Sequence, residues 1–106
     1  MDSTCTSAKL ACSIPRDQIA ATRSCFPQAD LFYEVQLEVT APWQGLSQCF
    51  QDFERSNLQC MSLRYAKGGA VFVCLRDTGQ SDLGVLDHAL RHHSGVTLQS
   101  WTTVIC

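Results

Sequence analysis

The chain has 106 residues, of which 45% are hydrophobic and 17% are charged, and its formal net charge is −2. This length suits one domain with a single modest core. The eight Lys and Arg residues are scattered among ten Asp and Glu residues, which argues against a binder of duplex DNA, and no apolar run approaches the roughly 20 residues of a membrane-spanning helix. We therefore expect neither DNA nor a membrane as a partner.

Cysteine is frequent, with seven residues at positions 5, 12, 25, 49, 60, 74 and 106. The count is odd and no CxxC pair occurs, so the spacing of a zinc ribbon or a redox motif is missing. The first residues lack the charged start and the apolar stretch of a secretory signal. We expect a cytoplasmic protein with free thiols, and a disulfide that involves Cys5, Cys12 or Cys25 is the alternative.

Residues 1–30 show the least regular pattern. They are rich in Ser, Thr, Ala and Cys, and Pro15 and Pro27 interrupt them. Residues 15–24 could form a short helix with the proline in its first turn, but the composition favours a flexible or loosely docked arm. We therefore expect the folded domain to span residues 31–106.

The clearest pattern is the alternation over residues 31–40, which predicts a strand with Tyr33 and every second residue to Val39 facing a core. Pro42 suits the first turn of the helix that follows over about residues 43–56. Its apolar stripe leaves Asp52 on the solvated side. The next strand, residues 58–66, carries Met61, Leu63 and Tyr65 on one face and Cys60, Ser62 and Arg64 on the other.

The second half repeats this arrangement. Two glycines in Lys67-Gly68-Gly69 indicate a hairpin turn, and the strand over 70–76 is apolar on both faces, as is typical of a central strand. Ser81 is expected to cap a helix that ends before Gly95. In the last strand, residues 96–105, the apolar phase changes, which indicates a bulge near Gln99-Ser100.

The element order predicts an α+β fold of the ferredoxin-like βαββαβ type, in which two helices cover one face of a four-stranded antiparallel sheet of order 4-1-3-2. The other face stays open. It is expected to carry Phe32, Glu34, Glu38, Cys60, Arg64, Phe72, Cys74 and Trp101. We expect a homo-oligomer that uses this face or a sheet edge, with interface residues Phe32, Glu34, Arg64, Phe72 and Trp101.

Three stretches together resemble an ACT-type regulatory domain: the loop Thr40–Leu46 after the first strand, Asn57–Leu63, and Ser94–Val96. The resemblance covers about 75 residues. It implies a non-catalytic regulatory domain that binds an amino acid or similar effector near the first loop and works beside a partner enzyme. The ligand-binding residues would be Thr40, Trp43, Gln44, Gly45 and Leu46. Trp43 would either staple the start of the helix to the core or wall the pocket.

Two other functions fit parts of the chain less well. Lys67–Val73 resembles the RNP1 motif of RNA-recognition domains, and Phe32, Phe72 and Trp101 could stack bases, but Glu34 nearby would repel phosphate. His88 and His92, at helical spacing, could bind a metal with Cys106, although histidines also suit the end of a helix. We expect no metal, no cofactor and no enzymatic activity. A purely structural, self-associating protein is the remaining alternative.

Overall fold

The structure is a computed structural model that describes residues 13–93 and 95–106. In chain order the elements are α1 (Arg16–Cys25), β1 (Leu31–Val39), α2 (Pro42–Arg55), β2 (Leu58–Tyr65), a short 3-10 turn (Lys67–Gly69), β3 (Ala70–Asp77), α3 (Leu83–His92) and β4 (Val96–Ile105). None of the helices described here has the length and apolar character that crossing a membrane requires.

The four strands form one antiparallel sheet in the order β2-β3-β1-β4. The α+β class, the antiparallel sheet and the central positions of β1 and β3 are as predicted. The full element order is α-β-α-β-β-α-β, so the predicted order βαββαβ does not describe the whole chain, because α1 precedes β1.

One face of the sheet carries the core. In β1 the residues alternate between buried and accessible, and Tyr33 and Leu37 are almost completely enclosed. Each helix adds residues to the same apolar cluster: Ile19 from α1, Cys49 and Phe53 from α2, and Leu86 and Leu90 from α3. The helices therefore lie on the face of the sheet to which Tyr33 points.

The segment before β1 contains a helix that packs on the core. Residues 16–25 form a helix, and Ile14 and Ile19 are buried in the core. The described part of the segment thus contains the short helix that the sequence allows over residues 15–24, and its two isoleucines exclude water from the same cluster as the sheet.

A bulge in β4 changes which residues face the core. Gln36 pairs with Ser100 but Leu37 pairs with Leu98, so Gln99 is the extra residue, as the change of phase predicts. Beyond the bulge, Trp101 lies opposite Val35 and its ring centroid is 4.9 Å from that of Tyr33. The prediction that Trp101 lies on the open face is wrong, since the bulge turns its side chain toward the helices.

A second bulge, in β2, was not apparent from the sequence. Cys60 pairs with Leu75 while Ser62 pairs with Cys74, which leaves Met61 as the extra residue. Cys60 packs against the core. Its predicted place on the open face is therefore wrong, because a bulge of one residue reverses the alternation before it.

The ends of α2 and α3 follow local chemistry. Asn57, after α2, has a φ of 59°, the left-handed conformation that asparagine tolerates. The cap of α3 is Asp82, whose carboxylate accepts the N–H of Val85, whereas Ser81 donates its hydroxyl to Asp77. The prediction of Ser81 as the cap is thus wrong by one residue.

Candidate functional site

A pocket of about 240 Å³ lies where α2 begins and α3 ends, and we call it the α2–α3 pocket. Its lining residues are Ala41, Gln44, Gly45, Gln48, His92, His93, Gly95 and Val96. The end of β1 is tied to the turn before β4, because the N–H of Thr40 donates to the carbonyl of Gly95 over 2.9 Å. Segments far apart in the sequence therefore form one cavity.

Two glycines allow the walls of the α2–α3 pocket to approach each other. A Cβ on Gly45 would collide with the side chain of Val39, so α2 could not pack this closely on β1. A Cβ on Gly95 would lie 2.6 Å from the hydroxyl oxygen of Thr40. Larger side chains at these two positions would push the walls apart.

His93 in the pocket wall is held by a buried carboxylate. Nε2 of His93 lies 2.5 Å from Oδ2 of Asp52, a residue in α2 with 0% of its surface exposed. The other carboxylate oxygen, Oδ1, has no hydrogen-bond partner in the described part of the chain and lies 3.8 Å from the guanidinium of Arg55. Because Nε2 of His93 is engaged by Asp52, Nδ1 is the ring nitrogen that remains for a ligand.

The amphipathic pattern predicts Asp52 on the solvated side of α2, and this prediction is wrong. Asp52 is enclosed because α3 packs against α2 and brings His93 to it. Its neighbours on the same helical face are small, namely Cys49 at i−3 and Ser56 at i+4, and both are buried. A carboxylate flanked at helical spacing by small residues is the sequence signal that could have indicated a close helix contact.

The five predicted ligand residues do not all meet. Gln44 and Gly45 line the α2–α3 pocket. Thr40 borders it through its hydrogen bond to Gly95, and Leu46 packs against the core. Trp43 is 86% exposed, so it neither anchors the helix to the core nor lines the pocket.

A second buried carboxylate, Asp77 at the end of β3, was also missed from the sequence. It accepts hydrogen bonds from the hydroxyl of Tyr33 at 2.5 Å, from the hydroxyl of Ser81 and the N–H of Gly79, both at 2.8 Å, and from the guanidinium of Arg23. The last contact joins α1 to the sheet. This cluster is therefore a structural anchor for α1.

The surroundings of Asp77 shift two pKa values. Burial works to raise the pKa of the Asp77 carboxyl, but the hydrogen bonds from Tyr33, Gly79 and Ser81 and the charge of Arg23 outweigh it and hold the pKa below its usual range. Burial and the hydrogen bond to Asp77 raise the pKa of the Tyr33 phenol. The carboxylate thus stays ionised and the phenol stays protonated at neutral pH.

The sheet face opposite the helices forms a shallow concavity of about 350 Å³, and we call this side the open face. Four of the five predicted interface residues, Phe32, Glu34, Arg64 and Phe72, lie on it. The guanidinium carbon of Arg64 lies 4.4 Å from the ring centroid of Phe72, a cation–π contact. Since Trp101 lies on the other side, the three aromatic residues considered for base stacking do not form one platform.

A larger groove of about 1220 Å³ separates α1 from the start of α3. Its lining carries charges of both signs in equal number: Arg16, Arg23, Arg91, Asp17, Asp82 and Asp87. This mixture favours neither an anionic nor a cationic ligand, so the groove is not the candidate site.

The histidines and cysteines of the described residues are distributed over several helices and strands. No group of three or more His, Cys, Asp or Glu side chains is placed there to hold a metal ion. The rings of His88 and His92 stack with centroids 4.1 Å apart. The five cysteines that the structure describes are free thiols, whereas Cys5 and Cys12 lie outside the described residues.

The α2–α3 pocket is thus the cavity in which residues of the predicted ligand loop, Gln44 and Gly45, meet the side chain of His93, which Asp52 holds in place. Comparison with known proteins adds no assignment, since no protein-family model matches the chain and no curated protein matches it significantly.

Proposed function

We propose that this protein is a non-catalytic regulatory module that binds a small carboxylate effector, such as an amino acid, in the α2–α3 pocket. The observation that carries the proposal is that Gln44 and Gly45, from the loop after β1, share this pocket with His93, which Asp52 orients. Its volume of about 240 Å³ is just below the range of drug-sized sites and suits a smaller molecule.

The polar groups around the α2–α3 pocket suit a carboxylate. The first turn of α2 has backbone N–H groups without partners inside the helix, and the helix dipole is positive at that end. The side-chain amides of Gln44 and Gln48 add neutral donors. With Nε2 held by Asp52, His93 offers Nδ1 to the ligand, and the buried carboxylate fixes the orientation of the ring.

The resemblance to ACT-type domains implies the same location, because it places the effector near the loop between the first strand and the following helix. In this proposal β1 to β4, α2 and α3 form a ferredoxin-like domain, and α1 is an addition that covers one end of the sheet. The module works as a homo-oligomer beside a partner enzyme, whose activity it adjusts when the effector binds.

The proposal is tested by a thermal-shift screen of amino acids and other small carboxylates at millimolar concentration, because a ligand that binds the folded state raises its melting temperature. We expect stabilisation that is lost in Gln44→Ala. Trp43→Ala is the matched control, since Trp43 is a neighbour in the same turn but is exposed and lies outside the pocket lining. A screen without any stabilising carboxylate, or an equal response of both variants, would contradict the proposal.

A further inference from the structure

We infer that the open face is an interface between two copies of this chain, related by a two-fold axis that runs along β3. The inference rests on the self-association in the proposed function and specifies the surface and its geometry. Charged side chains follow a definite order across the open face of the sheet.

The strand register fixes this order. On β2, Arg64 lies opposite Phe72 of β3, and Phe72 lies opposite Gln36 of β1. Gln36 stands between Glu34 and Glu38, which point to the same side because side chains two residues apart share a face. The middle of the open face is therefore uncharged from Ala70 to Cys74 on β3, with Arg76 at the end of the strand. A cation lies on one flank of this strip and two carboxylates lie on the other.

Such a face is complementary to itself. A two-fold axis along β3 places β2 of one copy over β1 of the other, so Arg64 meets the partner's Glu34 and Glu38, and the reciprocal contact forms at the same time. Phe72 then meets the partner's Phe72. An axis along β1 would instead bring Glu34 and Glu38 against their own copies, and like charges at close range oppose association.

These charged groups are available for a partner. Within the described part of the chain, Glu34 has no ion pair, Glu38 has one hydrogen-bond partner, Gln99 at 3.5 Å, and Arg64 contacts the ring of Phe72. Arg76, at the end of β3, would meet the partner's Arg76 about this axis, but Asp30 at 3.6 Å balances its charge within each chain. The second copy thus supplies the opposite charges that the single chain leaves unpaired.

The first experiment is sedimentation equilibrium on the full chain and on charge-reversed variants. We expect a dimer whose dissociation constant rises at least ~10-fold in Arg64→Glu and in Glu34→Arg, since each reversal places like charges across the interface. Combining both reversals restores the opposite-charge contact, so the dissociation constant returns to within about 3-fold of the original value. Glu54→Arg, at an exposed position of α2, is the control and leaves dimerisation unchanged.

Thiol cross-linking gives a second measurement. Cys74 lies on the central strip, opposite Glu34 of β1, and an axis along β3 brings it to the partner's Cys74 across packed sheets that are about 10 Å apart. A short thiol-to-thiol reagent should therefore give a Cys74–Cys74 cross-linked peptide from the wild-type chain, which peptide mass mapping distinguishes from links through the exposed Cys25 and Cys106. This peptide is absent from Cys74→Ser.

The outcomes separate the inference from the proposed function. A strict monomer at millimolar concentration overturns both the inference and the proposed self-association, and effector binding is then judged by its own screen. A dimer that ignores the charge reversals and does not cross-link through Cys74 overturns the inference alone, because self-association then uses another surface such as a sheet edge.

Discussion

Oδ2 of Asp52 lies 2.5 Å from Nε2 of His93 and joins the last turn of α2 to the residue that follows α3. The carboxylate is fully buried, while His93 lines the α2–α3 pocket. A single hydrogen bond therefore links the packing of two helices to the shape of the candidate site. A ligand that contacts His93 therefore binds a side chain whose position is fixed by a carboxylate inside the core.

Removing the imidazole should destabilise the fold. His93→Ala leaves the buried Asp52 without its hydrogen-bond donor, and we expect a loss of about 2–3 kcal/mol in the free energy of unfolding. Arg55→Ala, which removes an exposed cation 3.8 Å from the same carboxylate, should cost less than about 0.5 kcal/mol. Urea unfolding measures both, and equal losses would contradict the assigned roles.

Asp77 should make stability depend on acid pH. Its pKa in the folded state is below the usual 3.8, so its contribution is fully present above that value and is lost as the pH falls through the lowered pKa. Asp77→Asn should lower the free energy of unfolding by roughly 3 kcal/mol at pH 7. Between pH 4 and pH 2, the stability of this variant should decline less than that of the wild type, as followed by circular dichroism melts. Asp30→Asn, at an exposed carboxylate, is the control and keeps the wild-type pH dependence.

The two glycines between β2 and β3 should differ in how well they tolerate substitution by alanine. Both have positive φ, 85° at Gly68 and 89° at Gly69. A Cβ at Gly68 meets open space, whereas one at Gly69 collides with the carbonyl oxygen of Val39. Gly68→Ala should therefore cost about 1–2 kcal/mol for the left-handed conformation, and Gly69→Ala at least about 1 kcal/mol more. Chemical denaturation compares them, and the reverse order would contradict the described packing of this turn on β1.

The described thiols should react in order of exposure. Cys25 and Cys106 are exposed, while Cys49 is buried and its pKa is raised to about 11 by burial and by the charge of Asp52. Brief alkylation of the native protein, followed by peptide mass mapping, should modify Cys25 and Cys106 and spare Cys49. Denaturant should remove the difference, and early labelling of Cys49 would contradict its placement.

Local patterns predicted most of the architecture. The alternation of residues 31–39, the proline at the start of α2 and the left-handed Asn57 each depend on a few neighbouring residues, so the sequence alone was enough. The bulge at Met61 and the burial of Asp52 depend on what packs opposite them. Neither the alternation nor the helical periodicity contains that information.

The candidate site was predicted only in part for the same reason. The loop after β1 drew attention to Gln44 and Gly45, but His93 reaches the same pocket through the packing of α3 against α2. Trp43 was a misleading signal, because an aromatic residue beside a helix start usually packs inward and this one is exposed.

The most direct test of effector binding is an amide-resolved NMR titration of the full chain with the best carboxylate from the thermal-shift screen. We predict saturable chemical-shift changes centred on the amides of Gln44, Gly45, His93 and Gly95. Changes centred on Arg64 and Phe72 of the open face, or no saturable change, would contradict binding in the α2–α3 pocket.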